Sequence, residues 1–436
     1  MAASAAREEA LVRTLLVQGA EERDPDGRFL PLPERELASR RAREAAGGDA
    51  ADPEAFVETR AAELSAWLGA RHPALRAASR AALLRVPGVL VLAATSFVGF
   101  AADALGGERR VNLLAFPLLA LLLWNVAVYV GLAVRALAAR RGGAGARTRA
   151  GAAALARRLG ELVPRAALRV LARPTSAAPD EARWLAAALG DFGRRWLAAT
   201  GPLHVARMQV ALHLGALGFA AGLVAGMYVR GLAWAYRATW ESTFLGPGEA
   251  SALLSFVLGP AARLLDAVRD GAPTAVQLLT PASLAALEAP NDGPAATWIH
   301  LWALTAAGAI GVPRAILAAL AARRARRLAS ALRPPLDAPY YLRLLAADRG
   351  QGVRVEVLPY SHLLAPRSAD ALRELLHELF GSRAEVSLRE SLAYGDDPPA
   401  AAPAPGAQRH VVVFNLAQTP EHEVHGAFLE ALRGRA

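Results

Sequence analysis

Four apolar stretches, each long enough to cross a lipid bilayer, constrain this chain more than any other feature. A spanning helix needs about 20 mostly apolar residues at a rise of about 1.5 Å each. The stretches cover residues 87–104, 111–134, 208–229 and 298–322. Only the segment LGGERR separates the first two, which predicts a tight transmembrane hairpin. Hydrophobic residues make up 54% of the chain, above the roughly 45–50% of an ordinary soluble domain.

The positions of the arginines predict the orientation in the membrane. With the N-terminus in the cytoplasm, the inner flanks of the four stretches hold 18 Arg and the outer flanks hold 4. Cytoplasmic loops carry such an excess of basic residues. We therefore predict a multi-pass protein of a cytoplasmic (inner) membrane with both termini in the cytoplasm. The same bias accounts for most of the net charge of +10, so we expect the lipid bilayer, and no nucleic acid, as a partner.

The first 86 residues are polar and show no apolar region of a cleavable signal peptide. The sequence thus predicts a mainly α fold, a four-helix transmembrane protein with a helical cytoplasmic N-terminal region and a small C-terminal α/β domain. The predicted segments are residues 1–86, cytoplasmic and helical; 87–134, the transmembrane hairpin; 135–207, a cytoplasmic amphipathic connector; 208–229, transmembrane helix 3; 230–297, a periplasmic loop with short helices; 298–322, transmembrane helix 4; and 323–436, the cytoplasmic α/β domain.

Two segments outside the predicted spans have more than one interpretation. In the connector, Trp184, Ala188, Phe192 and Trp196 recur every four residues, and this stripe fits either an anionic membrane surface or packing against other helices. In the periplasmic loop, SALLSFVLGPAARLLDAV is interrupted by a Gly–Pro pair, so we expect a lipid-facing or partly inserted helix rather than a fifth span.

The C-terminal region alternates strand and helix patterns. RVEVLPY, HVVVFNL and, less regularly, EVSLRESL are typical of strands, and ADALRELLHELFG is typical of a helix that ends at Gly381. TPEHEVHGAFLEALRG predicts a last helix with Thr419 as its cap. This alternation indicates a small sheet with parallel pairing.

Four phrases of the sequence together resemble a known bacterial membrane family. They are GRFLPLPERELASR, LLLWNVAVYV, YRATWESTFL and VVVFNLAQTPEHEVHGAFLEAL. The chain resembles the family catalogued as domain of unknown function 2868, and the resemblance spans most of its length. Members are usually encoded beside a predicted GTPase. The resemblance therefore implies a membrane protein with a GTPase as a partner, and it implies no catalytic residues.

Composition excludes several kinds of chemistry. The chain has no Cys, and all 49 basic residues are Arg. These absences exclude thiolate nucleophiles, cysteine metal sites, a Walker-type lysine and a lysine Schiff base. The EHEVH segment, residues 421–425, lacks the His spacing of a metallopeptidase helix and is predicted to be a solvated helical turn. We expect no enzyme, no catalytic residues, no metal and no cofactor.

A polar site inside the membrane is the first candidate site. His213 and Asn125 fall deep within predicted spans, and ionisable groups there are functional candidates. The other interpretation, which the sequence favours, is a structural pairing of His213 with Asn125 or a backbone carbonyl. We expect His300 and Arg314 to lie near the membrane interfaces, where arginine side chains extend to water.

Three glycines form the second candidate site. Gly218, Gly222 and Gly226 lie four residues apart in the third predicted span. Small residues at this spacing allow two helix backbones to approach closely. We predict a helix-packing face, either within the chain or in a homo-oligomer.

Three hypotheses on function follow. The first is a non-enzymatic scaffold or regulator that docks a cytoplasmic partner, the GTPase, at the inner membrane. The alternative is a small channel or transporter component with a polar site near His213. The third is a membrane-bound hydrolase, for which the sequence shows no convergent acid, base and nucleophile.

Overall fold

The computed structural model describes residues 2–47, 52–102, 109–114, 116–140, 178–268, 275–349, 352–396, 409–415, 417–419 and 421–433. It is mainly helical, with 71% helix, and it contains small sheets. The chain divides into two compact units. Unit 1 comprises residues 1–8, 83–166 and 193–332, and unit 2 comprises residues 9–82, 167–192 and 333–436.

The elements are numbered along the chain. The helices are α1 (Ala2–Glu22), α2 (Leu32–Ala46), α3 (Pro53–Arg71), α4 (Pro73–Ala82), α5 (Gly88–Ala101), α6 (Phe116–Arg140), α7 (Pro179–Ala233), α8 (Pro247–Val268), α9 (Pro281–Ala285), α10 (Ala296–Ala306), α11 (Val312–Ser330), α12 (Pro339–Asp348), α13 (Pro366–Phe380) and α14 (Ala427–Arg433). A π-turn, Ala307–Gly311, joins α10 to α11. The strands are β1 (Arg110–Asn112), β2 (Arg237–Thr239), β3 (Gly293–Pro294), β4 (Arg354–Tyr360), β5 (Glu385–Leu388) and β6 (Arg409–Phe414).

Three helices are long and apolar enough to cross a membrane. They are α7, α8 and the continuous run Ala296–Ser330 that contains α10 and α11. The predicted spans 208–229 and 298–322 lie inside α7 and this run. The stretches Gly88–Ala101 and Leu119–Val134 are apolar but shorter. By length and composition the described residues thus give three such helices, where the sequence predicted four.

The exposed apolar side chains are concentrated in unit 1. Of the 33 large hydrophobic side chains that are exposed in the described residues, 27 belong to unit 1 and 6 to unit 2. A soluble surface rarely presents large contiguous apolar patches. The exposed apolar surface of unit 1 therefore supports an association with a membrane.

The helix limits in the segment predicted as a hairpin differ in detail from the prediction. Residues 110–112 form β1, and α6 begins at Phe116, so a helix start at residue 111 was wrong. The cause is tertiary: Val111 and Leu113 are buried in the core of unit 1, and the Leu113 amide donates to the Thr239 carbonyl at 2.8 Å. The first helix, predicted over 87–104, ends at Ala101.

A small mixed sheet organises the polypeptide between α7 and α10. β2 is its central strand, paired parallel with β1 and antiparallel with β3. The indole of Trp240, which follows β2, is fully buried and donates to the Leu284 carbonyl at 2.8 Å. Apolar residues of α7, α8, α9 and α10 complete this core.

The helix α8 corrects the interpretation of the segment SALLSFVLGPAARLLDAV. It runs without interruption through Gly259 and Pro260, so the Gly–Pro pair does not break it. Its buried face, which includes Leu254, Leu258 and Ala262, packs in the core of unit 1. Tertiary packing of this face stabilises the helix in spite of its interior proline, which in isolation would cost about 3 kcal/mol.

In unit 2, a buried ion network joins the N-terminal helices to α12. Arg60 of α3 donates to both carboxylate oxygens of Glu21, at 2.6 and 3.1 Å, and to the Ser39 hydroxyl at 2.9 Å. The Tyr340 hydroxyl donates to the same carboxylate. Burial is the main factor that raises the pKa of Tyr340 above its usual value, and the Glu21 charge acts in the same direction.

The second sheet of unit 2 is parallel, in the order β5-β4-β6. All three predicted strands are therefore present, and α13 ends at Phe380, before Gly381, as predicted. The last helix begins later than predicted. Glu421 is extended, a π-turn covers His422–Gly426, and α14 starts at Ala427, so Thr419 is not its cap.

The aromatic stripe of the connector is buried. Trp184, Ala188 and Phe192 are each at most 5% exposed in unit 2, and Trp196 is 5% exposed in unit 1. Of the two interpretations, packing against protein is therefore the one observed. Residues 141–177 of the predicted amphipathic connector lie outside the described residues.

Candidate functional site

A buried polar cluster lies among three helices of unit 1. It consists of Asn125 from α6, His213 from α7 and Arg314 from α11. The Arg314 Nε donates to the Asn125 Oδ1 at 2.8 Å, and the Arg314 Nη1 lies 3.1 Å from the His213 Nδ1. The three side chains are 1%, 9% and 4% exposed. The two predicted site residues are thus brought together, each bonded to the same guanidinium.

Neighbouring groups fix the orientation of the cluster. The Asn125 Nδ2 donates to the Leu121 carbonyl at 2.8 Å, which turns its amide oxygen toward Arg314. Because a guanidinium only donates, the His213 Nδ1 must accept, so this histidine is neutral with its proton on Nε2. The Tyr129 ring lies 5.3 Å from the Arg314 Cζ, a cation–π contact.

The π-turn takes part in this arrangement. The Tyr129 hydroxyl donates to the Ala309 carbonyl, inside the turn, at 3.1 Å. A π-turn disrupts the regular i→i−4 ladder and is frequent at functional sites. Here the tyrosine that stacks on the guanidinium also supplies a hydrogen bond to the irregular backbone.

The charge of Arg314 has no carboxylate partner among the described residues. Within the described part of the chain, no Asp or Glu oxygen lies within 4.0 Å of its guanidinium. Arg60 in unit 2 offers the contrast, since its charge is matched by Glu21. Arginine stays protonated in proteins, so the cluster keeps a net positive charge in a site closed by protein.

The position of Arg314 corrects the assignment of this residue to the membrane interface. Arg314 lies nine residues before Arg323, His213 lies six residues after Arg207, and Asn125 lies ten residues before Arg135. Along a helix, these separations from the basic flanks correspond to roughly 9–15 Å. The side chain is directed into the bundle, to polar partners. The sequence contained a signal for this position. Arg314 lies in the same apolar run as His300 and more than one helical turn before the basic group that starts at Arg323.

The three glycines lie against α5 of the same chain. A Cβ built on Gly222 would lie 1.9 Å from the Ser96 carbonyl oxygen, and one on Gly218 would lie 2.3 Å from the Thr95 Oγ1. On the opposing helix, a Cβ on Gly99 would lie 2.1 Å from the Phe219 carbonyl oxygen. A Cβ on Gly226 would meet the Arg230 Nη1 at 2.8 Å. The two backbones are therefore in direct contact, and homo-oligomerisation through this face stays a prediction.

Other candidate groups are not assembled into a site. His300 pairs with the Tyr228 hydroxyl at 2.7 Å. In the EHEVH segment, the His425 Nδ1 accepts from the Glu421 amide at 3.2 Å. The described residues contain no group of three His, Asp or Glu side chains arranged to hold a metal ion.

Unit 2 presents an apolar stripe on α13. Ala371, Leu375 and Leu379 recur every four residues on its outer face, and Leu363 lies just before the helix. The exposed fractions of Leu363, Leu375 and Leu379 are 83%, 50% and 41%. They make up half of the six exposed large hydrophobic side chains in the described part of unit 2. We call this set the α13 stripe.

Comparison with known proteins gives no relative: no family model, no curated protein and no solved structure matches this chain.

Proposed function

We propose that the protein is a non-enzymatic scaffold or regulator of the bacterial cytoplasmic membrane, anchored by unit 1 and docking a cytoplasmic partner on unit 2. The uneven distribution of exposed apolar side chains supports the membrane anchor. The excess of arginines on the inner flanks supports the cytoplasmic location of both termini.

The α13 stripe is the observation that carries the docking function. Leu375 and Leu379 lie on one face of α13, and Leu363 lies just before the helix. Charged residues of the same helix, including Arg373, Glu374 and Glu378, are exposed beside this face. An apolar centre with a charged rim is the usual anatomy of a protein interface. An amphipathic helix face of this kind packs into the apolar groove of a partner.

A GTPase is the partner that the family resemblance suggests. Such a protein would be recruited to the membrane by binding to unit 2. The scaffold would then set the location of the GTPase, and it would need no catalytic group of its own.

The experiment compares the full-length protein with two variants in detergent. The double variant Leu375→Asp/Leu379→Asp places two charges in the stripe, and Leu32→Asp, at a 50% exposed leucine elsewhere in unit 2, is the matched control. We expect the wild type and the control to copurify with a GTP-hydrolysing protein, and the double variant to lose at least ten-fold of it. Equal or absent recovery in all three would refute the docking function.

A second candidate, a small channel or transporter component, is favoured by the polar cluster at Arg314. A charged group inside a membrane bundle marks substrate and ion pathways in many transporters. The test is ion flux into liposomes that contain the purified protein. Flux that falls on Arg314→Gln would favour this function, and a tight bilayer would exclude it.

A further inference from the structure

We propose that unit 1 binds a small monovalent inorganic anion, of halide size, between the Arg314 guanidinium and the Thr305 hydroxyl. The proposal rests on the membrane-embedded bundle of the proposed function and names a ligand class for its polar cluster. Three observations carry it: an unmatched positive charge, unpartnered buried donors, and a π-turn that places these groups on one side of a helix.

The first observation is the donor capacity of Arg314. A guanidinium has five N–H donors, and the hydrogen bonds to Asn125 and His213 use two of them. Both partners are neutral acceptors. In the described part of the chain the charge of a side chain that is 4% exposed is therefore matched by no anionic group, and a small anion is the acceptor that would match it.

The second observation concerns the preceding helix, α10. The Thr305 Oγ1 and the Trp302 Nε1 are buried and have no hydrogen-bond partner in the described part of the chain. Their side chains are 8% and 2% exposed. A buried donor without a partner costs about 1–3 kcal/mol, and a bound water or ion is one of the ways in which native proteins satisfy such a group.

The third observation is the phase of the helix. An α-helix rotates about 100° per residue, so the nine residues from Thr305 to Arg314 would place them on opposite sides, about 180° apart. The π-turn Ala307–Gly311 absorbs about one extra residue. The angle then falls to about 80°, which brings the threonine and the arginine to the same side of the helix.

The spacing along the axis suits a single ion. Nine residues correspond to about 13 Å, and a long helical side chain covers the turn on the N-terminal side of its own Cα. The Tyr129 contacts are consistent with this direction, because its ring lies under the guanidinium and its hydroxyl reaches Ala309. About 6–8 Å then separates the guanidinium from the level of Thr305, which is the span of one halide in contact with both.

The test measures the thermal midpoint of the full-length protein in detergent, in sodium chloride and in sodium gluconate at equal ionic strength. Chloride is the probe, and the midpoint is read from the loss of the monodisperse chromatographic peak. We expect chloride to raise the wild-type midpoint in a saturable way. No difference between the two salts in the wild type would overturn the proposal, and it would leave the copurification of a GTPase unaffected.

Two variants locate the site. Arg314→Gln should lose the chloride response, whereas Arg230→Gln, which removes another arginine of unit 1, should keep it. Thr305→Val removes a hydroxyl that has no protein partner, so its midpoint in gluconate should equal or exceed that of the wild type. Its half-saturating chloride concentration should nevertheless rise at least three-fold.

The matched control for Thr305→Val is Thr200→Val, at a buried threonine whose hydroxyl donates to the Trp196 carbonyl at 2.6 Å. This change should lower the midpoint equally in both salts and leave the chloride response unchanged. If Arg314→Gln does not yield folded protein, the chloride response of Thr305→Val alone tests whether the anion binds at this site. A full chloride response in Thr305→Val would refute the site.

Discussion

Substitution of Gly222 by alanine tests the direct contact between α5 and α7. The new Cβ would lie 1.9 Å from the Ser96 carbonyl oxygen, whereas an ordinary contact begins at 3.4 Å. The helices must therefore move apart by about 1.5 Å. That displacement also loosens the contacts of Gly218 with α5 and of Gly99 with α7, since all of them join the same two backbones.

The expected loss of stability follows from these distances. Overpacking of a dense interior costs about 1–3 kcal/mol, occasionally more, and backbone atoms cannot rotate away as a side chain can. Alanine regains up to about 1 kcal/mol through its higher helix propensity. We expect a net loss of about 1–2 kcal/mol for Gly222→Ala, and a larger loss for Gly222→Leu.

The assay is the thermal midpoint of the detergent-solubilised protein, with Gly131→Ala as the control. Gly131 also lies inside a helix, but a Cβ there would meet nothing within 4 Å. The same chemical change should therefore leave its midpoint equal or slightly higher. Indistinguishable midpoints for the two alanine variants would show that the glycines of α7 do not carry a close contact.

Three further predictions concern unit 2 and the topology. Glu21→Leu leaves the Arg60 charge buried without a partner and should destabilise unit 2 by about 3–5 kcal/mol, measured by denaturant unfolding against the same change at an exposed glutamate. Burial and the Glu21 charge raise the pKa of Tyr340. The contribution of the protonated Tyr340 to stability is therefore complete below its unfolded pKa of about 10 and is lost as the pH rises further. Absorbance at 295 nm should show that Tyr340 ionises only when the protein unfolds. Alkaline phosphatase fused after Gly246 should be active and after Arg349 inactive, and the reverse pattern would overturn the orientation.

The parts of the structure that could be predicted from sequence are those set by local periodicity. The strands β4 and β6 are short apolar runs bounded by turns, and both were predicted within a residue or two of their observed limits. The long apolar runs around residues 208–229 and 298–322 were recognised in the same way. His213 and Asn125 could be selected because polar groups inside such runs are rare.

The features that could not be predicted from sequence depend on tertiary contacts. Arg314 was assigned to the interface because arginine near a helix end normally extends to water, and only the fold shows the asparagine and the histidine that surround it. Residues 110–112 look like the start of a helix until β2, which lies far along the chain, is available to pair with them. Two features have no local signal: the continuity of α8 through Gly259 and Pro260, which depends on tertiary packing, and the π-turn, which is a local change in the backbone hydrogen bonding.

The small sheet of unit 1 imposes an order on assembly during synthesis. Its central strand β2 follows β1 by more than a hundred residues, and β3 comes a further fifty or so later. At about 5–20 residues per second, several seconds to tens of seconds separate the emergence of these strands from the ribosome. The backbone of residues 110–112, between α5 and α6, must therefore stay unpaired during this interval, and a nascent chain stalled before residue 240 should be the form most exposed to quality-control proteases.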